Sequence, residues 1–154
     1  MILSDKEIME LIEEGSMDIE GFIEDNLTPN GYDLSIAEVS VEGRRTQSSG
    51  KAVIPAGTWF AVSTEEYVKF PKDIAGELWI RTTWARQGIL ASFGMIDAGF
   101  EGNLTLSAYN THQEVEIEVG DTFAQMVFHK LSRGSEKDYS ERSGNYQGQR
   151  GVNL

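Results

Sequence analysis

Apolar residues recur at helical spacing near the start of the 154-residue chain. Ile8 and Leu11 lie on one face of a helix, and Ser4 stands where a side chain can cap its first turn. Glu7 comes three residues after Ser4 and completes a capping box. Gly15 is a typical stop signal. The pattern predicts a short N-terminal helix that packs by one face.

After this segment the pattern changes to short apolar runs, several of which alternate with polar residues as strands with one buried face do. Turn residues separate the runs at intervals of about 8–12 residues, a spacing typical of a β-sandwich, jelly roll or barrel. One helical turn, ended by Gly88, is predicted at residues 82–87. The predicted strands are residues 32–36, 52–54, 59–63, 67–70, 77–81, 103–109, 115–119 and 123–131.

The C-terminal segment differs from the rest in composition, because it is rich in Gly, Ser, Gln, Arg and Tyr and has little to bury. We therefore predict one β domain over residues 1–131 and a mobile tail over residues 132–154, ordered by a ligand or a neighbouring subunit. No apolar run approaches the roughly 18 residues of a membrane span. The first residues lack the order of a signal peptide, so we expect a cytoplasmic protein without a membrane partner.

Charge and cysteine content narrow the function further. The formal net charge is −12, which argues against a nucleic-acid partner, since affinity for the backbone depends on Lys and Arg. A free nucleotide needs only a few local cations and remains compatible with this charge. The chain has no cysteine, which excludes disulfides, thiolate metal sites and the zinc cluster of the zinc deaminases. His112 and His129 show no ligand-like spacing, so no direct metal site is expected.

Two segments carry candidate chemistry. Asp97 is a lone carboxylate before a glycine-punctuated turn, where it can cap the turn or can position and deprotonate a water in phosphoryl transfer. Upstream, Arg81 and Arg86 flank the hydroxyls of Thr82 and Thr83, a combination that suits a polyphosphate. Together the two segments predict hydrolysis of a nucleoside triphosphate.

Six segments occur in an order that resembles one superfamily, the dCTP deaminases and dUTPases, and in particular the short archaeal-type dUTPases built on a deaminase-like chain. The resemblance implies a distorted β-barrel or jelly-roll subunit, a homotrimer with active sites between subunits, and Mg²⁺ carried by the phosphates of the substrate. The segments are ILSD at residues 2–5, PNGYDL at 29–34, RTTWARQG at 81–88, IDAGF at 96–100, GDTFAQ at 120–125, and a tail with tyrosines at 139 and 146 that reads NYQGQ at 145–149.

The resemblance also implies a role for each motif. Asp97 would orient or deprotonate the water that attacks the α-phosphorus, and Phe100 would pack against the deoxyribose unless it is only a core residue. Backbone groups of residues 102–106 would recognise the base. The phosphates would be bound by Arg81, Thr82, Thr83, Arg86 and Gln125, and the tail would close over the triphosphate through Tyr139, Tyr146 and Gln149.

Ser107 distinguishes the reactions of this superfamily. Its deaminases carry a glutamate at the matching position, which shuttles protons between water and the cytosine ring, and a serine cannot accept that proton at neutral pH without a partner base. We therefore expect a dUTP pyrophosphatase that yields dUMP and pyrophosphate, limits uracil in DNA and supplies the thymidylate precursor. The alternatives are a dCTP deaminase or bifunctional enzyme with another base, and a catalytically silent trimer that binds a nucleotide or a protein partner.

Overall fold

The N-terminal helix forms where the capping pattern predicts it. In the computed structural model, which describes residues 1–154, α1 spans Asp5–Glu13. The Ser4 hydroxyl accepts a hydrogen bond from the Glu7 backbone N–H at 3.4 Å, and the Glu7 carboxylate accepts one from the Ser4 backbone N–H at 2.8 Å. Gly15 follows the helix with a φ of +71°, a conformation that costs glycine little. The predicted helix, its cap and its stop are confirmed.

Most of the remaining chain is strand, and each of the eight predicted strands is present, with ends that differ from the predicted ends by at most five residues. The strands that were not predicted have two or three residues each. The strands are β1 (Asp18–Glu20), β2 (Leu27–Thr28), β3 (Gly31–Val41), β4 (Arg45–Gln47), β5 (Lys51–Ile54), β6 (Thr58–Thr64), β7 (Tyr67–Lys69), β8 (Ile74–Ile80), β9 (Ile89–Ala91), β10 (Met95–Ile96), β11 (Glu101–Gly102), β12 (Thr105–Asn110), β13 (Val115–Glu118) and β14 (Thr122–Lys130).

Two further α-helices and one 3-10 helix are short. The predicted helical turn is α2 (Thr82–Ala85), and the C-terminal segment contains α3 (Tyr139–Arg142), which was not predicted. The 3-10 helix covers Glu24–Asn26. None of the helices has the length and apolar character needed to cross a membrane.

The strands pair antiparallel into one large sheet and two small ones. Nine strands form the large sheet in the order β10-β8-β14-β3-β6-β12-β9, with β2 and β4 paired to β3. The small sheets are β1-β7-β11 and β13-β5. The large sheet curls into a half-barrel, so the prediction of a mostly β, dUTPase-like barrel is confirmed.

Aromatic side chains from facing strands fill the interior of the half-barrel. Phe60, Phe123 and Phe128 are fully buried, and the rings of Phe60 and Phe123 meet edge-on with centroids 6.0 Å apart. Trp84 of α2 is also buried, and its indole N–H donates to the Thr122 carbonyl at 2.9 Å. Helix α2, which lies within the predicted phosphate motif at residues 81–88, is therefore fixed to β14.

Two buried asparagines hold β12 at its ends. The Asn103 side-chain amide donates to the carbonyls of Thr64 at 3.0 Å and Glu66 at 2.9 Å. The Asn110 amide donates to the Ile54 carbonyl at 2.9 Å. Because these groups are buried, losing either amide removes hydrogen bonds from the interior of the fold. These hydrogen bonds fix both ends of β12 to residues at or just after the ends of β5 and β6.

Candidate active site

Asp97 lies in a tight turn between β10 and β11. The Phe100 backbone N–H donates to the Asp97 carbonyl at 3.1 Å, which closes the turn. Gly99 has a φ of +84°, and a Cβ at this position would lie 2.4 Å from the Cβ of Asp138. Only glycine fits here, because the turn needs a left-handed residue and the Asp138 side chain occupies the adjacent space. The glycine lets the segment that precedes α3 pack directly behind the Asp97 turn.

The Asp97 turn borders a cavity of about 410 Å³. This volume is in the usual range for small-molecule pockets. Asp97 is the one carboxylate among the lining residues, which are Leu78, Ser92, Phe93, Gly94, Met95, Ile96, Asp97, Phe100, Leu104, Thr105, Leu106, Ser107, Tyr139, Ser143, Tyr146 and Gln149. The cavity therefore combines apolar walls with a few polar groups, as nucleoside sites require.

Phe100 serves the core and the cavity at once. Its side chain is 6% exposed and belongs to the central apolar cluster, and it also lines the cavity wall. The ring meets that of Tyr139 edge-on, with centroids 5.3 Å apart and planes at 74°. The sequence leaves open whether Phe100 is a core residue or a site residue, and its position in the structure is compatible with both roles.

Ser107 lies on β12 and contributes to the same cavity as Asp97. Along β12 the residues alternate, with Leu106 and Ala108 buried and Ser107 exposed. This is the alternation that the sequence predicted, and it turns the Ser107 side chain away from the core. The position that separates the two reactions of the superfamily thus borders the same space as the candidate water-activating carboxylate.

The C-terminal segment packs along the cavity in the same chain. The Tyr139 hydroxyl accepts a hydrogen bond from the Tyr146 backbone N–H at 3.0 Å. The Gln149 carbonyl accepts one from the Asn103 backbone N–H at 3.0 Å, and the Gln149 side-chain amide donates to the Asn103 carbonyl at 2.7 Å. All three predicted tail residues line the cavity with Asp97. The predicted mobility of the tail without ligand stays a prediction.

The predicted phosphate residues do not line the Asp97 cavity of their own chain. Arg81 Nε lies 2.9 Å from an Asp33 carboxylate oxygen, and the guanidinium also donates to the Thr122 hydroxyl. Burial raises the pKa of Asp33, and the charge of Arg81 opposes that rise. The Gln125 amide donates to the Thr28 hydroxyl at 2.9 Å. Arg81 and Gln125 are thus held by neighbouring side chains at a second location. We call this group, which consists of Arg81, Asp33, Thr122, Gln125 and Thr28, the arginine cluster.

The other predicted phosphate residues belong to α2 and its end. Thr82, Thr83 and Arg86 are exposed, and Arg86 has no salt-bridge partner in the chain. An exposed, unpaired guanidinium beside two hydroxyls can bind phosphate oxygens without first breaking an internal ion pair. The arginine cluster and the start of α2 adjoin in sequence, since Arg81 is the N-cap residue of α2.

Three polar residues of the arginine cluster were missed by sequence reasoning. Asp33 stood within the PNGYDL motif, and Thr28 directly precedes it, so the motif itself was the available signal. Thr122 stood in the GDTFAQ motif, where only the glutamine was singled out. None of the three is identifiable from spacing alone, because the partners that give them a role come from other strands.

The chain offers few side chains that could together bind a resident metal ion. The structure contains no group of three or more His, Asp or Glu side chains that could hold one. His129, for example, pairs with a single carboxylate, that of Glu77, at 2.8 Å. Mg²⁺ that is bound mainly through substrate phosphates needs only one or two protein carboxylates. The side chains present are compatible with an ion that arrives with a nucleotide, and Mg²⁺ carried by substrate phosphates stays a prediction.

Comparisons with known proteins identify the family of this chain. Residues 37–131 match the family described as dCTP deaminase-like. The dCTP deaminase of Pyrococcus horikoshii is 44% identical to this chain over 134 residues, which is 84% of each chain. The relatives identified by sequence are thus named for deamination, and the narrower expectation of an archaeal-type dUTPase stays a prediction.

Solved structures of both enzyme types share the fold. The 2′-deoxycytidine 5′-triphosphate deaminase of Agrobacterium tumefaciens superposes with a TM-score of 0.74 at 20% identity, over 84% of this chain and 47% of that chain. A variant dUTPase from phage phi11 of S. aureus, whose structure reveals the coordination of a structural Mg(II) ion, superposes with a TM-score of 0.56 at 20% identity, over 79% and 94%. At these identities the likeness indicates the fold alone.

Proposed function

This chain belongs to the dCTP deaminase-like family of enzymes, and within that family we propose that it hydrolyses dUTP to dUMP and pyrophosphate. This reaction would limit the uracil available for DNA synthesis and would supply dUMP for thymidylate synthesis. The observation that carries the proposal is the single carboxylate of the cavity, because Asp97 has no acidic companion there.

A single carboxylate suits hydrolysis better than deamination. Replacing an exocyclic amine by water requires a group that takes a proton from water and gives protons to the ring and to the leaving nitrogen. Ser107 cannot do this at neutral pH, and the Glu101 carboxylate is engaged elsewhere, accepting a hydrogen bond from the Tyr67 hydroxyl at 3.0 Å. Phosphoryl transfer requires fewer proton-transfer groups from the protein, since positioning and charge stabilisation supply most of the catalysis.

In the proposed reaction Asp97 accepts a proton from a water molecule placed in line with the bond between the α-phosphorus and its bridging oxygen. The water oxygen forms the new bond to the α-phosphorus, and the bridging oxygen leaves with the β- and γ-phosphates as pyrophosphate. Phe100 packs against the deoxyribose, and Tyr139, Tyr146 and Gln149 close the cavity. Mg²⁺ bound to the substrate phosphates would neutralise part of their charge.

The phosphates are bound in this proposal by a neighbouring copy of the chain, in a homotrimer. Two observations support the arrangement. The predicted phosphate residues lie outside the Asp97 cavity of their own chain, so one copy offers only part of a site. Large apolar side chains are also exposed beside the cavity, since Trp79 is 58% exposed and Met95 is 56% exposed. Exposed apolar surface of this kind marks an interface.

The second candidate function is dCTP deamination, which is favoured by the name of the Pyrococcus relative. It would need a proton carrier that a neighbouring copy brings to the cavity. The third candidate, a silent nucleotide-binding trimer, predicts binding without turnover. All three candidate functions use the same cavity. The first two differ in the product they release, and the third releases none.

The deciding experiment measures pyrophosphate and ammonia release from dUTP and from dCTP, with Mg²⁺ and with EDTA. We expect pyrophosphate from dUTP, lost in EDTA, and no ammonia from dCTP. Ammonia from dCTP would establish the second candidate. Nucleotide binding without either product would establish the third.

The role of Asp97 is tested by Asp97→Asn, which keeps the shape of the side chain and removes its capacity to accept a proton. We expect dUTP hydrolysis to fall by at least about 100-fold, the usual contribution of a general base, with dUTP affinity largely retained in calorimetric titration. Asp18→Asn, the same change at an exposed position of β1, is the matched control and should be fully active. An Asp97→Asn variant as active as the unmodified protein would contradict the mechanism.

A further inference from the structure

Arg150 holds the C-terminal tail to the small sheet β1-β7-β11. Its guanidinium carbon lies 3.7 Å from the centre of the Tyr67 ring, a cation–π contact, and one of its nitrogens lies 3.1 Å from the Glu20 carboxylate. Tyr67 is in turn fixed by its hydrogen bond to Glu101. We call Arg150, Tyr67 and Glu20 the Arg150 clamp. It connects the tail to the first two strands of a sheet whose third strand adjoins the cavity.

The residues around Arg150 pair with the edge of the same sheet. The Gly148 backbone N–H donates to the Glu101 carbonyl at 2.7 Å, and Gly102 and Gln149 form a parallel β-bridge. After the clamp, the Val152 backbone N–H donates to the Glu38 carboxylate at 2.8 Å. The tail therefore contacts β11 through a single β-bridge, and the clamp lies between this bridge and the Val152 hydrogen bond.

Arg150 itself does not line the cavity, whereas its neighbour Gln149 does. We propose that Arg150 is a positioning residue for nucleotide binding, because its clamp holds Gln149 and Tyr146 in the cavity wall before the nucleotide arrives. The proposal rests on the proposed function only in taking the cavity as a nucleotide site, and it is independent of which reaction follows.

The expected kinetic signature follows from this placement. A tail that is docked for only part of the time lowers the apparent affinity by that fraction, and saturating nucleotide restores the docked state. Losing an exposed cation–π contact and a surface ion pair lowers the equilibrium constant for docking by about five-fold. Removing the clamp should thus raise KM by up to about five-fold and leave kcat within about two-fold.

The experiment compares Arg150→Ala and Arg150→Lys with Arg133→Ala, a matched control at an exposed arginine of the same C-terminal segment that has no salt-bridge partner. One readout is the KM and kcat of whichever nucleotide turns over. The other is hydrogen exchange at the Gly148 and Asn103 amides without nucleotide, since both hydrogen bonds form only when the tail is docked. Arg150→Ala should speed exchange and raise KM, Arg150→Lys should do both in part, and the control should do neither.

Two variants of Tyr67 separate the ring from the hydroxyl. Tyr67→Phe keeps the ring under the guanidinium and should retain most of the tail protection. Tyr67→Ala should repeat most of the effect of Arg150→Ala, and the double variant should change exchange by less than the sum of the two single variants, because both remove the cation–π contact. Unchanged exchange in Arg150→Ala, or a fall in kcat with an unchanged KM, would overturn the proposal. If no nucleotide turns over, titration of dUTP and dCTP binding replaces KM, so a failure of the proposed function leaves this test intact.

Discussion

Ser107 lines the same cavity as Asp97, and the resemblance to the superfamily implies a glutamate at this position in a site built for deamination. A serine hydroxyl is too weak an acid and too weak a base to transfer protons near neutral pH without a partner group. The residues around it offer no such partner, since the remaining polar side chains of the cavity are hydroxyls, phenols and an amide apart from Asp97. We therefore expect the choice between the two reactions to depend on a single side chain of β12.

Restoring a carboxylate at this position should restore part of the missing chemistry. We expect Ser107→Glu to release ammonia from dCTP at a rate at least about ten-fold above Ser107→Gln, which adds the same bulk without an acid–base group. Both variants should lose part of their dUTP hydrolysis, because the longer side chain occupies nucleoside space. Coupled ammonia and pyrophosphate assays on the same preparations measure both effects. If Ser107→Gln and Ser107→Glu behave alike, the carboxylate at this position is not the determinant.

The connection between β6 and β7 contains the most deeply buried carboxyl group of the chain. Glu66 has no exposed surface, and its carboxylate accepts hydrogen bonds from the Ser35 backbone N–H at 2.9 and 3.2 Å. Burial raises its pKa from an ordinary 4.5 to about 7, in spite of the hydrogen bonds, which lower it. The carbonyl of the same residue accepts the Asn103 amide that anchors the start of β12.

This connection makes the stability of the fold dependent on pH. Between pH 4.5 and 7 the folded chain keeps a proton on Glu66 that the unfolded chain has lost, so the free energy of unfolding falls as the pH rises through this window. The expected loss is on the order of 3 kcal/mol. Glu66→Gln should match the unmodified protein at pH 5 and exceed it in melting temperature at pH 8. Glu65→Gln, the exposed neighbour, should follow the unmodified protein at both values, and the same behaviour of Glu66→Gln would contradict the assignment.

At the scale of elements, the sequence predicts those whose determinants are local. The Ser4–Glu7 capping box and the alternation along β12 are properties of a few adjacent residues, so α1 and eight of the strands were predictable. The short strand β11 was not, because it exists only through its partner β7 and through Gln149 of the tail. The same reason explains why the docked position of the tail was not predicted, since Arg150 and Tyr67 lie 83 positions apart.

At the scale of the whole molecule, the residues of the proposed nucleotide site form two groups that do not meet within one chain. Asp97 and the tail residues share a cavity, whereas Arg81, Gln125 and the start of α2 lie outside it. The motifs were readable in sequence because each is local, but their separation was not, since it depends on how the strands curl. An assembly in which the Asp97 cavity of one copy meets the arginine cluster of the next would unite the two parts.

Mixed assemblies test this arrangement directly. Asp97→Asn removes the proposed base, and Arg86→Ala removes an exposed guanidinium with no internal ion pair, so neither change should disturb folding. Each variant alone should hydrolyse dUTP poorly. In trimers that assemble at random from equal amounts of both, a site pairs an intact Asp97 with an intact Arg86 about one time in four, so activity should recover to about a quarter of the unmodified level. Sites contained within single chains would show no recovery, because every chain then carries one defect, and co-expression of the two variants with different affinity tags distinguishes the outcomes.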